Sequence, residues 1–503
     1  MPSARLSAAV MNAAAIAPFI IASFTRRTAI AMITDSNGDQ INYTGHNDGM
    51  RRAACFMLGG CYGSGVMPAS GLAGYQTGML DCIIAGVNGL AGAPAEFTDL
   101  AFPTGHGAPE ESDWMATGWP GNSAAGAIRI KSNHPMDVNR GLELHSRIYR
   151  PAVGGATTLN PTVIPYESGV GTVLYPSSST PIALETRPAD GITNFKWTIP
   201  AGALVNYADP QTPLGTGGGW GFREQRWTGA DITGALGITY RQLVDPTKLN
   251  GVQWSKMITF GGAPTKTPAS SLCQSFKDSQ IAEWFRAHAV TQVDAAGNAL
   301  PPMLLVQIVE GGNDAGDVTS SITYRRGAGQ GGAVVTGNPN GNTKVGIKNN
   351  HQAIMNRMRD VWVNTCGYSE KNLFFLLGCY HPQPPTGTQY TFVRTLAVDG
   401  WRELTQENEN VCAVDGYQLA THEDFSFAHA IKSTVSPWTA DSTVTFHRAV
   451  GVDNAHLNQP GYQHWGLLVW STLLESVMGG LVDGSSLRGT LSDNRGNTLV
   501  MRN

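Results

Sequence analysis

Two rhythms of apolar and polar residues alternate along this chain, and they predict two kinds of structure. Residues 28–33 (Thr-Ala-Ile-Ala-Met-Ile) form a short, continuous apolar and β-branched run, as expected of a strand buried on both faces. Met50, Ala53, Ala54, Met57 and Leu58 then recur at helical spacing within 45–58. From about residue 120 the pattern changes to short alternating runs at 142–149, 192–199, 237–243 and 252–260. Turn clusters such as Pro176-Ser177-Ser178-Ser179 and Gly215-Thr216-Gly217-Gly218-Gly219 separate them. Alternation of period two belongs to half-buried strands, and several such runs with regular turns predict a β-sandwich or jelly roll.

Helical spacing returns at 270–290, with Leu272, Phe276, Ile281, Trp284, Phe285 and Ala289 on one side. Residues 303–309 read as a central parallel strand, apolar on both faces. A polar, Gly-rich loop is expected at 319–348, then a helix at 350–364 and a strand at 373–378. A helix near 391–404, a short strand at 411–415 and a closing helix at 463–478 complete the αβ rhythm. The chain therefore reads as one α/β domain in two pieces, 1–119 and 266–503, with an all-β sandwich or jelly-roll domain inserted at 120–265.

Composition narrows the class. With 42% hydrophobic and only 14% charged residues the chain is globular rather than disordered. A formal charge of −4 with no basic run or basic-aromatic stripe argues against nucleic acid as a partner. The apolar, alanine-rich stretch 8–23 is short for a membrane span and is interrupted by Asn12 and Pro18. It is expected to be an arm or helix packed on the fold, and no membrane span is expected elsewhere. The seven cysteines form no Cys-x-x-Cys pair and no cluster at zinc spacing, so buried free thiols are expected. Cys55 and Cys61 are close enough in sequence to form a disulfide. The abundance of Gly, Ser, Thr and Asn suits an extracellular or virion setting, and a homo-oligomer fits that setting.

Candidate chemistry sits at three separated points. Thr34-Asp35-Ser36-Asn37-Gly38 follows the first apolar strand, and a serine on the sharp turn leaving such a strand presents its hydroxyl at the open edge of a sheet. Gly311-Gly312-Asn313-Asp314 follows the strand at 303–309, and Asp453-Asn454-Ala455-His456 precedes the closing helix. Histidine is the side chain best placed to take a serine proton near neutral pH, and an aspartate on its other nitrogen fixes the tautomer. Asp314 reads as a structural hydrogen-bonding residue. His422-Glu423-Asp424 reads as exposed loop chemistry rather than a metal site, and His464 as a capping or packing residue. Trp197, Trp220 and Trp227 in the β-region are candidates to stack on sugar rings, though core is the commoner fate of tryptophan.

Serine first, Gly-x-Asn-Asp in the middle and Asp-x-x-His last resembles the SGNH (GDSL-type) hydrolase family. The resemblance covers four short blocks spread over 28–470, and not the β-region. It implies a three-layer α/β/α, flavodoxin-like hydrolase domain that hydrolyses carboxylic esters through an acyl-serine, without a metal or organic cofactor. It implies Ser36 as nucleophile, His456 as general acid and base, and Asp453 as its orienting partner. It also implies an oxyanion hole made by the Ser36 backbone N–H, the Asn313 side-chain amide and a glycine N–H. Gly74, with Gly71 as the alternative, lies at the right distance past the serine in Ala69-Ser70-Gly71-Leu72-Ala73-Gly74-Tyr75. One departure is plain: the family's first block reads Gly-Asp-Ser, and Thr34 stands here in place of the glycine. Small acyl esters or O-acetyl groups on a glycan are the implied substrates. The alternative from another class is a catalytically weak or inactive scaffold, serving as a glycan-binding, adhesion or virion protein.

Overall fold

The structure, a computed structural model, describes residues 9–35, 249–259, 263–275, 278–294, 296–317, 340–381, 388–419 and 459–483. It also describes parts of the segment 50–58 and strand segments between 65 and 246, 324 and 335, and 431 and 499.

The elements that matter follow in chain order. A two-residue strand β1 (Val10–Met11) leads into helix α1 (Ala17–Thr25) and strand β2 (Arg27–Thr34). The β-region contributes β3 (Leu142–Arg150), β4 (Gly191–Ile199) and β5 (Leu236–Val244), and β6 (Gly251–Thr259) follows. Then come α2 (Asp278–Ala289), β7 (Leu304–Val309), α3 (Lys344–Asp360), β8 (Leu373–Gly378), α4 (Val398–Glu407), β9 (Val411–Val414) and α5 (Gln459–Asp483).

Six of these strands form one sheet in the order β1-β9-β8-β7-β2-β6. All neighbours are parallel except β1, which runs antiparallel to β9. The described fold is thus mixed α/β with a predominantly parallel sheet. Every residue of β2, β7, β8 and β9 is buried, which explains why these strands are continuous apolar runs rather than alternating ones. Helices cover both faces. Phe374 meets Phe19 of α1 with ring centroids 5.9 Å apart, while the guanidinium of Arg359, in α3, lies 5.2 Å from the centroid of the Phe375 ring. Successive strand residues point to opposite faces, so α1 and α3 lie on opposite sides of the sheet.

Several sequence expectations change. The run 252–260, read as part of the β-region, is β6 and pairs in parallel with β2 at the edge of the main sheet. The helix expected at 350–364 starts at Lys344, because the Thr343 hydroxyl caps it by accepting from the Gly346 N–H at 3.0 Å. The expected loop before it contains a short antiparallel pair, Tyr324–Arg326 with Ala333–Val335. The helix expected at 270–290 is divided: Lys266–Ser270 is α-helical, Ser271–Ser275 widens to a π turn, and α2 follows. Pro18 lies in the first turn of α1, where its missing N–H has no intrahelical partner to lose. Asn12 adopts a left-handed conformation (φ 59°), and its amide donates to Thr405 O and Val411 O, tying the amino-terminal arm to β9.

The β-region is antiparallel where it is described. A five-stranded sheet contains β4-β3-β5, and a separate four-stranded sheet lies beside it in the chain. In β4 the expected alternation holds: Phe195, Trp197 and Ile199 are buried while Asn194, Lys196 and Thr198 are exposed. Trp197 is therefore a core side chain and not an exposed sugar platform. Arg147 of β3 makes a bidentate pair with Glu283 of α2, with both N···O distances 2.6 Å. This buried pair joins the antiparallel sheet to a helix of the α/β core.

Candidate functional site

The strand order locates the site before any side chain is considered. In sequence the five parallel strands are β2, β6, β7, β8 and β9, and across the sheet they run β6-β2-β7-β8-β9. The chain leaves β2 toward one edge and returns to β7 on its other side. In open α/β sheets the connections diverge at such a switch point and leave a crevice at the carboxyl ends of the strands, where ligands bind. Val309 pairs with Thr34 and Ile308 with Leu377, so β2, β7 and β8 end level with one another. The residues immediately beyond them, Asp35, Glu310 to Asn313, and Cys379 to His381, therefore share that edge.

At this edge Asp35 and Asn313 meet. The Asp35 carboxyl is fully buried, and its backbone N–H donates to Val309 O at 3.1 Å, extending the β2–β7 ladder by one residue. The Asn313 amide Nδ2 donates to Asp35 Oδ2 at 3.0 Å and, in a longer bond of 3.3 Å, to Ala263 O. Tyr380, just past β8, also donates its hydroxyl to Asp35 Oδ2. Its ring passes over Gly312: a Cβ at that position would lie 2.7 Å from Tyr380 Cε1, so a side chain there would displace the tyrosine.

The surroundings are acidic and buried. Burial holds the Glu310 carboxyl well above the usual carboxylate range, and the nearby Asp35 and Asp314 add to the shift. Neither Glu310 carboxyl oxygen has a hydrogen-bond partner among the described residues. Burial also pushes Asp314 up to about 7, opposed by hydrogen bonds from the Thr265 hydroxyl and backbone N–H. Asp314 thus anchors the turn that carries Asn313 to the loop that carries Ala263, the structural role expected for it. Lys266 reinforces the same junction through an ion pair with Asp317. On α3, burial lowers His351 to about 4, so it is neutral at neutral pH. Burial, followed by the carboxyls of Asp35 and Glu310, pushes the Tyr380 hydroxyl well above its ordinary value, so it remains a donor.

Of the residues expected from the sequence, Asn313 lies at this edge, and Asp35, the neighbour of Ser36, is beside it. Ser36, Gly71, Gly74, Asp453 and His456 lie outside the described residues, as do His422, Glu423 and Asp424. The side chains of Trp220 and Trp227 are also outside the description. Cys273, Cys366, Cys379 and Cys412 are free thiols, and burial pushes both Cys366 and Cys379 up to about 12. Among the described residues no group of three His, Cys, Asp or Glu side chains could hold a metal ion. No described helix is long and apolar enough to cross a membrane. Two residues were missed in the sequence: Tyr380 and Glu310. The signal for both was position alone, since each lies within two residues of the end of a buried parallel strand.

No protein-family model matches the chain, and no curated protein sequence matches it. Among solved structures, one described as "Peptidoglycan O-acetylesterase in action" is similar over 94% of this chain and 97% of its own, at 11% identity and a TM-score of 0.49. The adhesin domain of Lys-gingipain from Porphyromonas gingivalis is similar over 26% of this chain and 73% of its own, at 11% identity and a TM-score of 0.15. A xylanase structure from Clostridium thermocellum is similar over 65% of this chain and 59% of its own, at 9% identity and a TM-score of 0.20. Likenesses at these TM-scores carry no argument about this chain, and the α/β assignment rests on its own strand order.

Proposed function

We propose that this chain is a serine esterase of the SGNH type, acting on short-chain acyl esters or on O-acetyl groups of a carbohydrate. The observation that supports it is the hydrogen bond between Asp35 and Asn313 at the switch point of the sheet. It brings the residue preceding the proposed nucleophile against the proposed oxyanion donor.

In this reading Ser36 Oγ attacks the ester carbonyl carbon as His456 takes its proton, with Asp453 orienting the imidazole. The tetrahedral oxyanion receives hydrogen bonds from the Ser36 and Gly74 backbone N–H groups and from Asn313 Nδ2. The C–O bond to the alcohol then breaks, His456 returns the proton to the departing oxygen, and the acyl-serine is hydrolysed by water along the same path in reverse roles. The 3.3 Å bond from Asn313 to Ala263 O is the weaker of its two, and it is the one an oxyanion would displace. The 3.0 Å bond to Asp35 would keep the amide plane in place meanwhile. The proposed architecture is a hydrolase domain carrying an inserted β-rich domain.

The test is turnover of p-nitrophenyl acetate, and acetate release from an O-acetylated glycan, by purified protein with and without a serine-reactive phosphonate. Absence of turnover on both substrates overturns the proposal. One observation favours the second reading, a non-catalytic glycan-binding scaffold: both amide protons of Asn313 are already donated within the protein. In that case the same preparation binds the glycan without releasing acetate.

A further inference from the structure

We infer that Tyr380 is a positioning residue, which holds the Asp35 carboxyl and through it the Asn313 amide in the orientation the reaction requires. The role in catalysis rests on the esterase reading above; the hydrogen-bond relay itself does not.

Tyr380 leaves β8 and donates to a carboxyl at the end of β2, with the end of β7 lying between them. Spanning one strand to reach the next needs a clear path and a fixed starting direction, and the structure supplies both. The path is the missing side chain of Gly312. The direction comes from two consecutive left-handed residues, Gly378 (φ 80°) and Cys379 (φ 64°). A non-glycine residue in that region is disfavoured, and such residues persist only where the surroundings hold them. Here the surroundings are visible. Trp465 of α5 donates its indole N–H to Cys379 O at 2.9 Å. Gly416, after β9, lies so close that a Cβ would come within 1.8 Å of Tyr380 O. Two other parts of the chain, α5 and the turn after β9, thus converge on the backbone around one tyrosine, whose hydroxyl ends on one oxygen.

That oxygen is shared. Asp35 Oδ2 accepts from Tyr380 and from Asn313 together, so the phenol fixes the rotation of the carboxyl that in turn fixes the amide. A ring without the hydroxyl would fill the same space and take one of the two donors from the shared oxygen. Packing alone would be served equally well by phenylalanine, so the hydroxyl is the feature to remove.

The experiment uses full-length Tyr380→Phe, Asp35→Ala and the double variant, with kcat and KM measured on p-nitrophenyl acetate and folding checked by circular dichroism. Tyr380→Phe is expected to lower kcat about 10-fold or more with KM changed less than about 2-fold, as for misplacement of a group that acts in the transition state. In the Asp35→Ala background, where no side-chain oxygen remains to accept from either group, the same substitution is expected to add no further loss. Independent, additive losses overturn the inference. A second readout does not need turnover: the side-chain amide ¹⁵N–¹H resonances of Asn313 are expected to shift in Tyr380→Phe. Unchanged resonances in the folded variant also overturn it. Should Tyr380→Phe not fold, 3-fluorotyrosine placed at position 380 keeps the shape and strengthens the donor, and the same resonances are expected to move; if they do not, the relay is absent. An inactive wild-type protein would defeat the esterase reading alone, since the resonances still decide the role of Tyr380.

Discussion

Asn313 donates a 3.0 Å hydrogen bond to Asp35 across 278 residues of sequence. Each side chain follows the carboxyl end of a buried parallel strand, and the two strands are neighbours at the point where the sheet reverses its order. Two turn sequences that are unremarkable apart become one constellation when the sheet forms.

Ser36→Ala is expected to abolish hydrolysis of p-nitrophenyl acetate and to leave the circular dichroism spectrum unchanged. The serine hydroxyl is the proposed bond-forming atom, and its removal takes nothing from the apolar strands that form the core. Turnover retained by the folded variant would rule out Ser36 as the nucleophile.

Asn313→Ala is expected to lower kcat by about 10² to 10³-fold, as for other oxyanion-donor deletions, with little change in KM. The amide can donate to a developing negative charge but cannot take the serine proton, so nucleophile and base stay competent. Steady-state kinetics on a short-chain ester decide it, and a folded variant with nearly normal kcat would make Gly311-Gly312-Asn313-Asp314 merely a turn.

Stability is expected to fall as pH rises toward 7, and Asp314 is the group responsible. Its carboxyl titrates near 7 in the folded protein against an ordinary value of 3.8, so between those values the folded state binds more protons than the unfolded one. The stabilisation is full below the ordinary value and is lost as pH rises through the folded one. Glu310, also raised, acts in the same direction. His351, lowered from 6.5 to about 4, acts oppositely, but most of its effect is complete by pH 6.5, so the range 6.5 to 7.5 is weighted toward the carboxyls. Urea unfolding across this range should show a decline of about 1 kcal/mol, of the order set by one pKa unit, that is flattened in Asp314→Asn. An unchanged slope in that variant would remove Asp314 from the account.

Arg147→Ala is expected to destabilise the protein by about 3 kcal/mol or more, because it leaves the fully buried Glu283 carboxyl without its bidentate partner. Adding Glu283→Gln to it should recover part of that loss, since the uncompensated charge is then gone. Denaturant midpoints of the single and double variants test the coupling, and strictly additive losses would contradict it.

Much of the α/β core was legible in the chain because its strands are buried on both faces. The runs at 28–33, 303–309 and 373–378 are apolar for a local reason, and each was placed within a residue or so of β2, β7 and β8. Edge elements were harder. Val10–Met11 is too short to carry a pattern, and the alternation of β6 is equally at home in an antiparallel sheet or at the rim of a parallel one. Its choice between the two is made by pairing with β2, which no local signal encodes.

The site divides in the same way. Sequence by itself determined which side chains with chemistry follow strands, Asp35 beside Ser36 and Asn313 beside Asp314, because strand ends and turns are written in local composition. Only the tertiary structure decided that β8 lies next to β7, that Gly312 clears the way for Tyr380, and that one carboxyl oxygen serves both the tyrosine and Asn313. Those facts depend on strand order and on close approach between residues far apart in the chain. A hydrogen bond is lost over a fraction of an ångström, whereas a hydrophobic pattern survives many substitutions, so the pattern can be read along the chain and the bond cannot.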